Sequence, residues 1–425
     1  MSTSDLQLRF HPERDRLLAE AHARPSTPLA APALATRIVS LSGEGGAEGD
    51  RLHMAALCRK FAAPEPGGGA RWCVLDAGAW SLRWERHTEA STWTIFRPGV
   101  EPDVANFGVT ALDIVPRSWL AELPGDILVA AHAAIIATRP SSLPFAPDET
   151  VAARIALGPI QVFSDFRAGP DAFTRFVLVD GGAGEAVVGR TLQQLFEVET
   201  YRLMALLTYP LALKAAVELT QLETEIDAAA AQVVNEAGVE SDRTLLNALA
   251  ALAGRAERLA GQTNFRVAAS RAYYGLVGAR IASWNEQPVD GRPTLGEFME
   301  RRLAPAMRTC ISVAERQQGA IERIARTVQI LNTRVEVASE MVNVSLLASM
   351  DKRSKTQLRL QETVEGLSIV AVSYYALALL KLAFDGLAQV APWVNPTIAT
   401  ALATPVVLYI VWRFLRRLKK DALNS

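Results

Sequence analysis

Gly366–Leu380 reads GLSIVAVSYYALALL, and Thr397–Trp412 reads TIATALATPVVLYIVW. Neither stretch contains a charged residue. The first continues past Lys381 through Leu382, Ala383 and Phe384, and the second begins in an uncharged run at Val390. A helix that crosses a bilayer needs about 20 apolar residues. Both runs reach that length once Lys381 is placed at the boundary, where its stem snorkels to the interface. Residues 390–412 show no polar face at helical spacing, so the hydrocarbon reading outweighs a buried soluble hairpin. Pro405 fits this reading, because neighbouring helices satisfy the carbonyl that a proline frees. Trp393 and Trp412 stand near the ends of the run, where aromatic belts form.

The flanks set the orientation. Lys352, Arg353, Lys355 and Arg359 precede the first run, and Arg413, Arg416, Arg417, Lys419 and Lys420 follow or end the second. The connection over 385–394 has no Lys or Arg. The positive-inside rule therefore places both ends in the cytoplasm. The N-terminal residues MSTSDLQLRFHPERD lack the basic-then-apolar pattern of a signal sequence. The expectation is a large cytoplasmic part held by a C-terminal hairpin.

The chain has 425 residues, half of them hydrophobic, with 44 Lys plus Arg against 45 Asp plus Glu. A disordered chain is excluded, and a formal charge of -1 gives no general pull toward nucleic acid. Three cysteines build no disulfide framework.

Three regions follow. Residues 1–180 read as mixed α/β, with helices over 13–23 and 51–61. Strands are expected at 36–41, 72–75, 81–86, 92–97, 127–137, 161–166 and 176–179. Most of the 22 prolines fall in this half. Residues 181–365 read as helical, with helices over 185–208, 211–237, 241–261 and 264–286. Thr294 and Glu297 form a capping box ahead of the last helix. From Ile311, the positions Ala314, Ile321, Ala325, Val328, Val335, Val342 and Leu346 follow the alternating three-and-four spacing of a coiled-coil seam. Residues 307–366 unbroken would make a rod of roughly 90 Å. Residues 366–425 are the transmembrane hairpin and basic tail. The fold class is α+β, and the helices serve an intramolecular bundle, a stalk between copies, or both.

Motifs for chemistry are sparse. Gly184–Thr191 (GEAVVGRT) matches a phosphate-binding loop except that Arg190 replaces lysine. A glycine loop at a helix start is the favoured reading. His11, His22, His53, His87 and His132 show no metal-ligand spacing. Cys58 and Cys73 read as buried thiols, and Glu199 and Arg202 as a pair across one helical turn. Ser81, Ser118, Ser164 and Ser283 lack a nucleophile-elbow context. No residue set is assigned a catalytic, cofactor-binding or metal-binding role, and the expectation is a non-enzyme.

The motifs FHPER at Phe10–Arg14, EAHARP at Glu20–Pro25, RLHM at Arg51–Met54, Arg71-Trp72 and ERHT at Glu85–Thr88 form a combination with Glu197–Arg202 and Leu360–Tyr375. Together they resemble the bacterial domain-of-unknown-function family 3422, over nearly the whole chain. The resemblance implies a membrane-anchored protein of the bacterial inner membrane and carries no catalytic residues. The layout is also similar to CorA-type magnesium channels, with Leu360–Ser373 where their stalk enters the first span. The Gly-Met-Asn signature is absent, and Asp385 and Asn395 are the polar loop residues left to attract a cation. The functional expectation is an oligomeric interaction or scaffold protein, with a CorA-like channel as the alternative. In the channel reading Gly366, Ser373 and Tyr374 face a pore. The partners expected are the lipid bilayer and further copies of the chain.

Overall fold

The structure is a computed structural model that describes residues 9–14, 17–18, 26–155, 158–235, 238–390 and 395–423. The residues His22, Pro25 and Trp393, and most of the expected 13–23 helix, lie outside that set. The described chain forms two compact units, one of residues up to 236 with 244–328, the other of 237–243 with the residues from 329 onward.

Strand β1 (Ala33–Leu41) organises the first unit. Its residues ALATRIVSL alternate between two cores, as the two-residue period of a strand requires. Ala33 and Ala35 enter one buried cluster, and Leu34 and Ile38 enter the other. On one side β1 pairs antiparallel with β4 (Ser91–Pro98), which pairs with β3 (Ser81–Arg86) and then β2 (Trp72–Asp76). On the other side it pairs with β5 (Asp126–Ile136). Beyond β5 come β8 (Thr174–Val179), β7 (Gln161–Ser164), β6 (Val151–Arg154) and the short β9 (Gln287–Pro288). Only the β5–β8 pairing is parallel among the described strands. The class is α+β, as the sequence implies.

One sheet face is covered by helix α1 (Ala47–Lys60) through Met54, Leu57 and Cys58, with Trp119 from the short helix α2 (Arg117–Ala121). The other face receives α3 (Glu185–Leu206), whose Val188, Leu192, Leu195 and Phe196 share a stripe at i, i+4, i+7 and i+8. Each large apolar side chain buried this way contributes about 1.5–3 kcal/mol before entropy is counted.

Helix α4 (Tyr209–Asn235) begins with Pro210 in its first turn, where a missing N–H costs nothing. Its buried residues Ala212, Ala215, Leu219, Leu222, Ile226, Ala229 and Val233 alternate three and four apart. Helix α5 (Val239–Trp284) is continuous, where two helices broken near residue 262 were expected. Gly261 costs a helix about 1 kcal/mol, and the buried neighbours Leu259, Ala260, Thr263 and Val267 outweigh it.

The capping box forms as expected. Glu297 N donates to Thr294 Oγ1 at 3.2 Å, and Thr294 N to Glu297 Oε2 at 3.1 Å. It starts α6 (Leu295–Val390), which passes through Pro305 without a break. Pro305 is exposed, so water can satisfy the carbonyl that loses its donor. Within the first unit, the buried stripe of α6 runs Met307, Cys310, Val313, Gln317, Ala320 and Ile324. That stripe lies one residue off the expected seam; Ala314 and Ile321 are half-buried and Ala325 is exposed. Gln317 fits the stripe because its Oε1 accepts from Thr263 Oγ1 at 3.0 Å.

In the second unit, Arg334 makes a two-pronged pair with Asp242 at 2.7 and 2.9 Å. Helix α7 (Pro396–Leu423) follows α6 in sequence. Three helical stretches are long and apolar enough to cross a membrane: Glu185–Asn235, Leu295–Leu387 and Pro396–Phe414. A third of the apolar window in the first is buried, against 6% in each of the others. The first therefore gives part of its apolar surface to packing within the body.

Candidate functional site

The β3–β4 turn supplies one wall of a cleft. Its closure is set by His87 N donating to Ala90 O at 2.8 Å, and it presents His87, Thr88 and Glu89. Helix α3 supplies Thr200, Tyr201 and Met204 opposite, and α5 supplies Tyr273 and Leu276. The cleft holds about 290 Å³, with Val39 and Ala90 on its apolar floor. Tyr201 and Tyr273 stack with centroids 5.9 Å apart. Tyr273 Oη donates to Glu89 Oε1 at 3.1 Å, and Arg266 pairs with the other oxygen at 2.5 Å. Burial and the adjacent Glu89 push the Tyr273 hydroxyl up to about 12, so it stays a donor.

His87, Thr200 and Tyr201 also line a smaller chamber of about 40 Å³. This chamber contains Arg37 from β1, Glu85 from β3, and Gln193 and Glu197 from α3. Arg83 donates to Glu85 at 2.7 Å, and Arg280 to Glu197 at 2.7 Å. Arg37 donates through Nε to Thr94 Oγ1 at 2.9 Å and lies over the Phe196 ring at 5.2 Å. Desolvation lowers the Arg37 pKa from its usual value, yet a guanidinium stays charged. On the outer side, His87 and Arg71 border an open groove of about 440 Å³ with Arg51 and Gly69. His87 is thus shared by all three spaces.

The other sequence candidates scatter. Gly184 precedes α3, but Gly189, Arg190 and Thr191 are inside the helix, so no phosphate loop forms. Gly189 has a packing reason: a Cβ there would lie 1.9 Å from Thr27 O. The turn before α3 is a glycine-containing helix start, the reading favoured from sequence.

His53 stacks on Trp119 at 4.5 Å, and burial lowers its pKa. His11 Nδ1 accepts from Glu13 N at 3.2 Å. Glu199 is fully buried and pairs with Arg202 at 2.8 Å, while Thr174 Oγ1 donates to it at 2.9 Å. The pair expected across one turn is present, as packing rather than surface. Burial, reinforced by Cys73, pushes the Cys58 thiol up to about 12, which leaves it unreactive. Asn395 caps α7, accepting from Thr397 N at 3.1 Å. Among the described residues no group of three His, Cys, Asp or Glu is placed to hold a metal ion.

His132 faces Thr36 across β1 and β5, with Nδ1 2.8 Å from Thr36 Oγ1, and stacks on Phe173 at 4.1 Å. Burial pulls its pKa down to about 4, against the opposing effect of Asp171. The unfolded chain takes up this proton near pH 6.5 and the folded chain only near 4. Stability from His132 is therefore complete above pH 6.5 and is lost as pH falls toward 4. Urea unfolding of wild-type protein should lose about 2 kcal/mol at this site between pH 7.5 and 5.0. His132→Gln should flatten that part of the profile; an unchanged slope would contradict the assignment.

Sequence pattern does not single out Arg37, Gln193 or Tyr273 as site residues, and marks Glu85 only within the ERHT motif. One signal was present: an arginine in the otherwise apolar and hydroxyl-bearing strand ALATRIVSL. A charge buried in a central strand is retained only where something compensates it.

These features define a class: an α+β protein with a sheet-and-helix body, a cleft between the β3–β4 turn and the helices α3 and α5, and long apolar helices near its C-terminus. The chain belongs to the family described as protein of unknown function (DUF3422), whose model matches residues 9–422. No curated protein and no solved structure matches it.

Proposed function

We propose that this is a membrane-anchored, non-enzymatic interaction or scaffold protein of the bacterial inner membrane. The α/β portion (1–180) and the helical portion (181–365) lie in the cytoplasm, and 366–425 form a two-span hairpin. The observation that carries this reading is the exposure of the apolar ends of α6 and α7. Leu367, Leu379 and Leu402 are 74%, 69% and 72% exposed. An apolar surface of that extent needs lipid or protein to cover it. Of the described residues from 366 onward, only Ser373, Val407 and Val411 are buried. The basic flanks at 352–359 and 413–420 support cytoplasmic ends.

Self-association is part of the proposal. Met341, Val344, Leu346 and Leu347 are exposed on α6 shortly before the first apolar run, a surface suited to a second copy. A cation-conducting reading rests on the unbroken course of α6 from Leu295 to Val390 into that run. Flux of cations from protein-loaded liposomes would favour conduction over scaffolding.

Flotation of cell membranes tests the anchor. The full chain should float with lipid and need detergent for release, and a chain ending at residue 365 should move to the soluble fraction. Recovery of the full chain from lysate without detergent would overturn the proposal.

A further inference from the structure

The chamber under His87 is built around a cation with its principal donors unused. Arg37 is 95% buried, the complement of its 5% exposure. Its Nε is occupied by Thr94, but among the described residues neither Nη donates a hydrogen bond. The two carboxylates present are already matched, Glu85 by Arg83 and Glu197 by Arg280. Both carboxylates also face Arg37, so three guanidinium groups, those of Arg37, Arg83 and Arg280, stand against two carboxylates, an excess of one positive charge.

We infer that this chamber and the adjoining cleft bind a small organic carboxylate, its carboxylate on the Arg37 guanidinium and its apolar body against Tyr201, Tyr273 and Met204. Two parallel N–H donors match the two oxygens of a carboxylate. A phosphate is disfavoured because its second charge would face Glu85 and Glu197 in a chamber of about 40 Å³. The cleft of about 290 Å³ adds a stacked aromatic pair and the apolar side chains of Val39 and Leu276, which suit an aryl or short aliphatic group. Arg71 stands at the mouth, exposed and with no ion pair among the described residues, where it attracts anions.

The test is calorimetry on the full chain in detergent, with protein-free micelles as blank. The probes are butyrate, hexanoate, benzoate and 3-phenylpropionate, each beside its primary amide, with inorganic phosphate as a competing anion. At least one acid should bind with a Kd of about 1 mM or tighter, and its amide at least about tenfold more weakly. Arg37→Gln should weaken the acid at least about tenfold. Should that variant fail to fold, Leu276→Trp at a 41% exposed position fills the cleft. It should abolish binding with its melting temperature held within about 2 °C. Equal binding of acid and amide, phosphate binding tighter than every acid, unchanged binding in Leu276→Trp, or no acid binding below about 10 mM would each overturn the inference. The last result would leave a chamber that holds water alone.

Discussion

Asp50→Ala should destabilise the folded body by about 3–5 kcal/mol, because it strands a buried arginine. Arg86 has a side chain 4% exposed and Asp50 one that is 0% exposed. Arg86 Nη1 donates to Asp50 Oδ2 at 2.7 Å, and Ser42 and Ser91 donate to the same oxygen at 2.6 Å. Arg86 also donates to the carbonyls of Gly43 and Thr88. This network joins α1 to the end of β3 and the start of β4. Losing the carboxylate removes the counter-charge and leaves the guanidinium out of water.

The same reasoning separates the cost of breaking the pair from the worth of having it. Asp50→Leu with Arg86→Met removes both charges and should recover most of the loss, since apolar replacement of a buried pair is often neutral. Denaturant unfolding followed by tryptophan fluorescence measures all the variants. A loss under about 1 kcal/mol in Asp50→Ala would show that solvent reaches Arg86.

Trp93→Ala should cost about 3–5 kcal/mol through the cavity it leaves. Trp93 is fully buried on β4, directly opposite Trp84 on β3, with ring centroids 6.0 Å apart. Trp119 meets it edge-on at 5.5 Å and His53 at 5.6 Å. Its Nε1 donates to Ser40 Oγ at 3.1 Å. Trp93→Phe keeps a ring and loses the donor, so it should cost less than the alanine variant. Equal costs would mean that the hydrogen bond to Ser40, and not the volume, is what Trp93 contributes. Because β3 and β4 also carry the turn at His87, the alanine variant should disturb the cleft as well.

Several elements were legible because their signals are local. The strand at Ser81–Arg86 has the bounds that alternation and its flanking turns imply. The capping box at Thr294 needs only two residues three apart. The apolar ends of α6 and α7 need only length and the absence of charge.

Other elements were not legible, for stated reasons. Strand β6 (Val151–Arg154) and β9 are too short to show a period, and exist because neighbouring strands offer free hydrogen bonds. The GEAVVGRT match failed because the helix begins at Glu185, five residues earlier than the motif's Arg190 would require. The offset of the buried stripe on α6 was invisible because Ile, Val and Ala occur at both candidate registers. Only the faces presented by other helices choose between them.

The sequence by itself determined the α+β class, most strand positions, the helical second half and two C-terminal stretches too apolar to leave bare in water. Those follow from residue period and transfer free energy, which act over a few neighbouring positions. Tertiary structure alone decided that Arg37, Glu85 and Glu197 share one chamber and that Tyr273 lines the cleft beside it. They come from a central strand, an adjacent hairpin and two helices, separated by up to 236 positions along the chain. Closing such distances is set by which faces bury together, and no local pattern in the chain records the outcome.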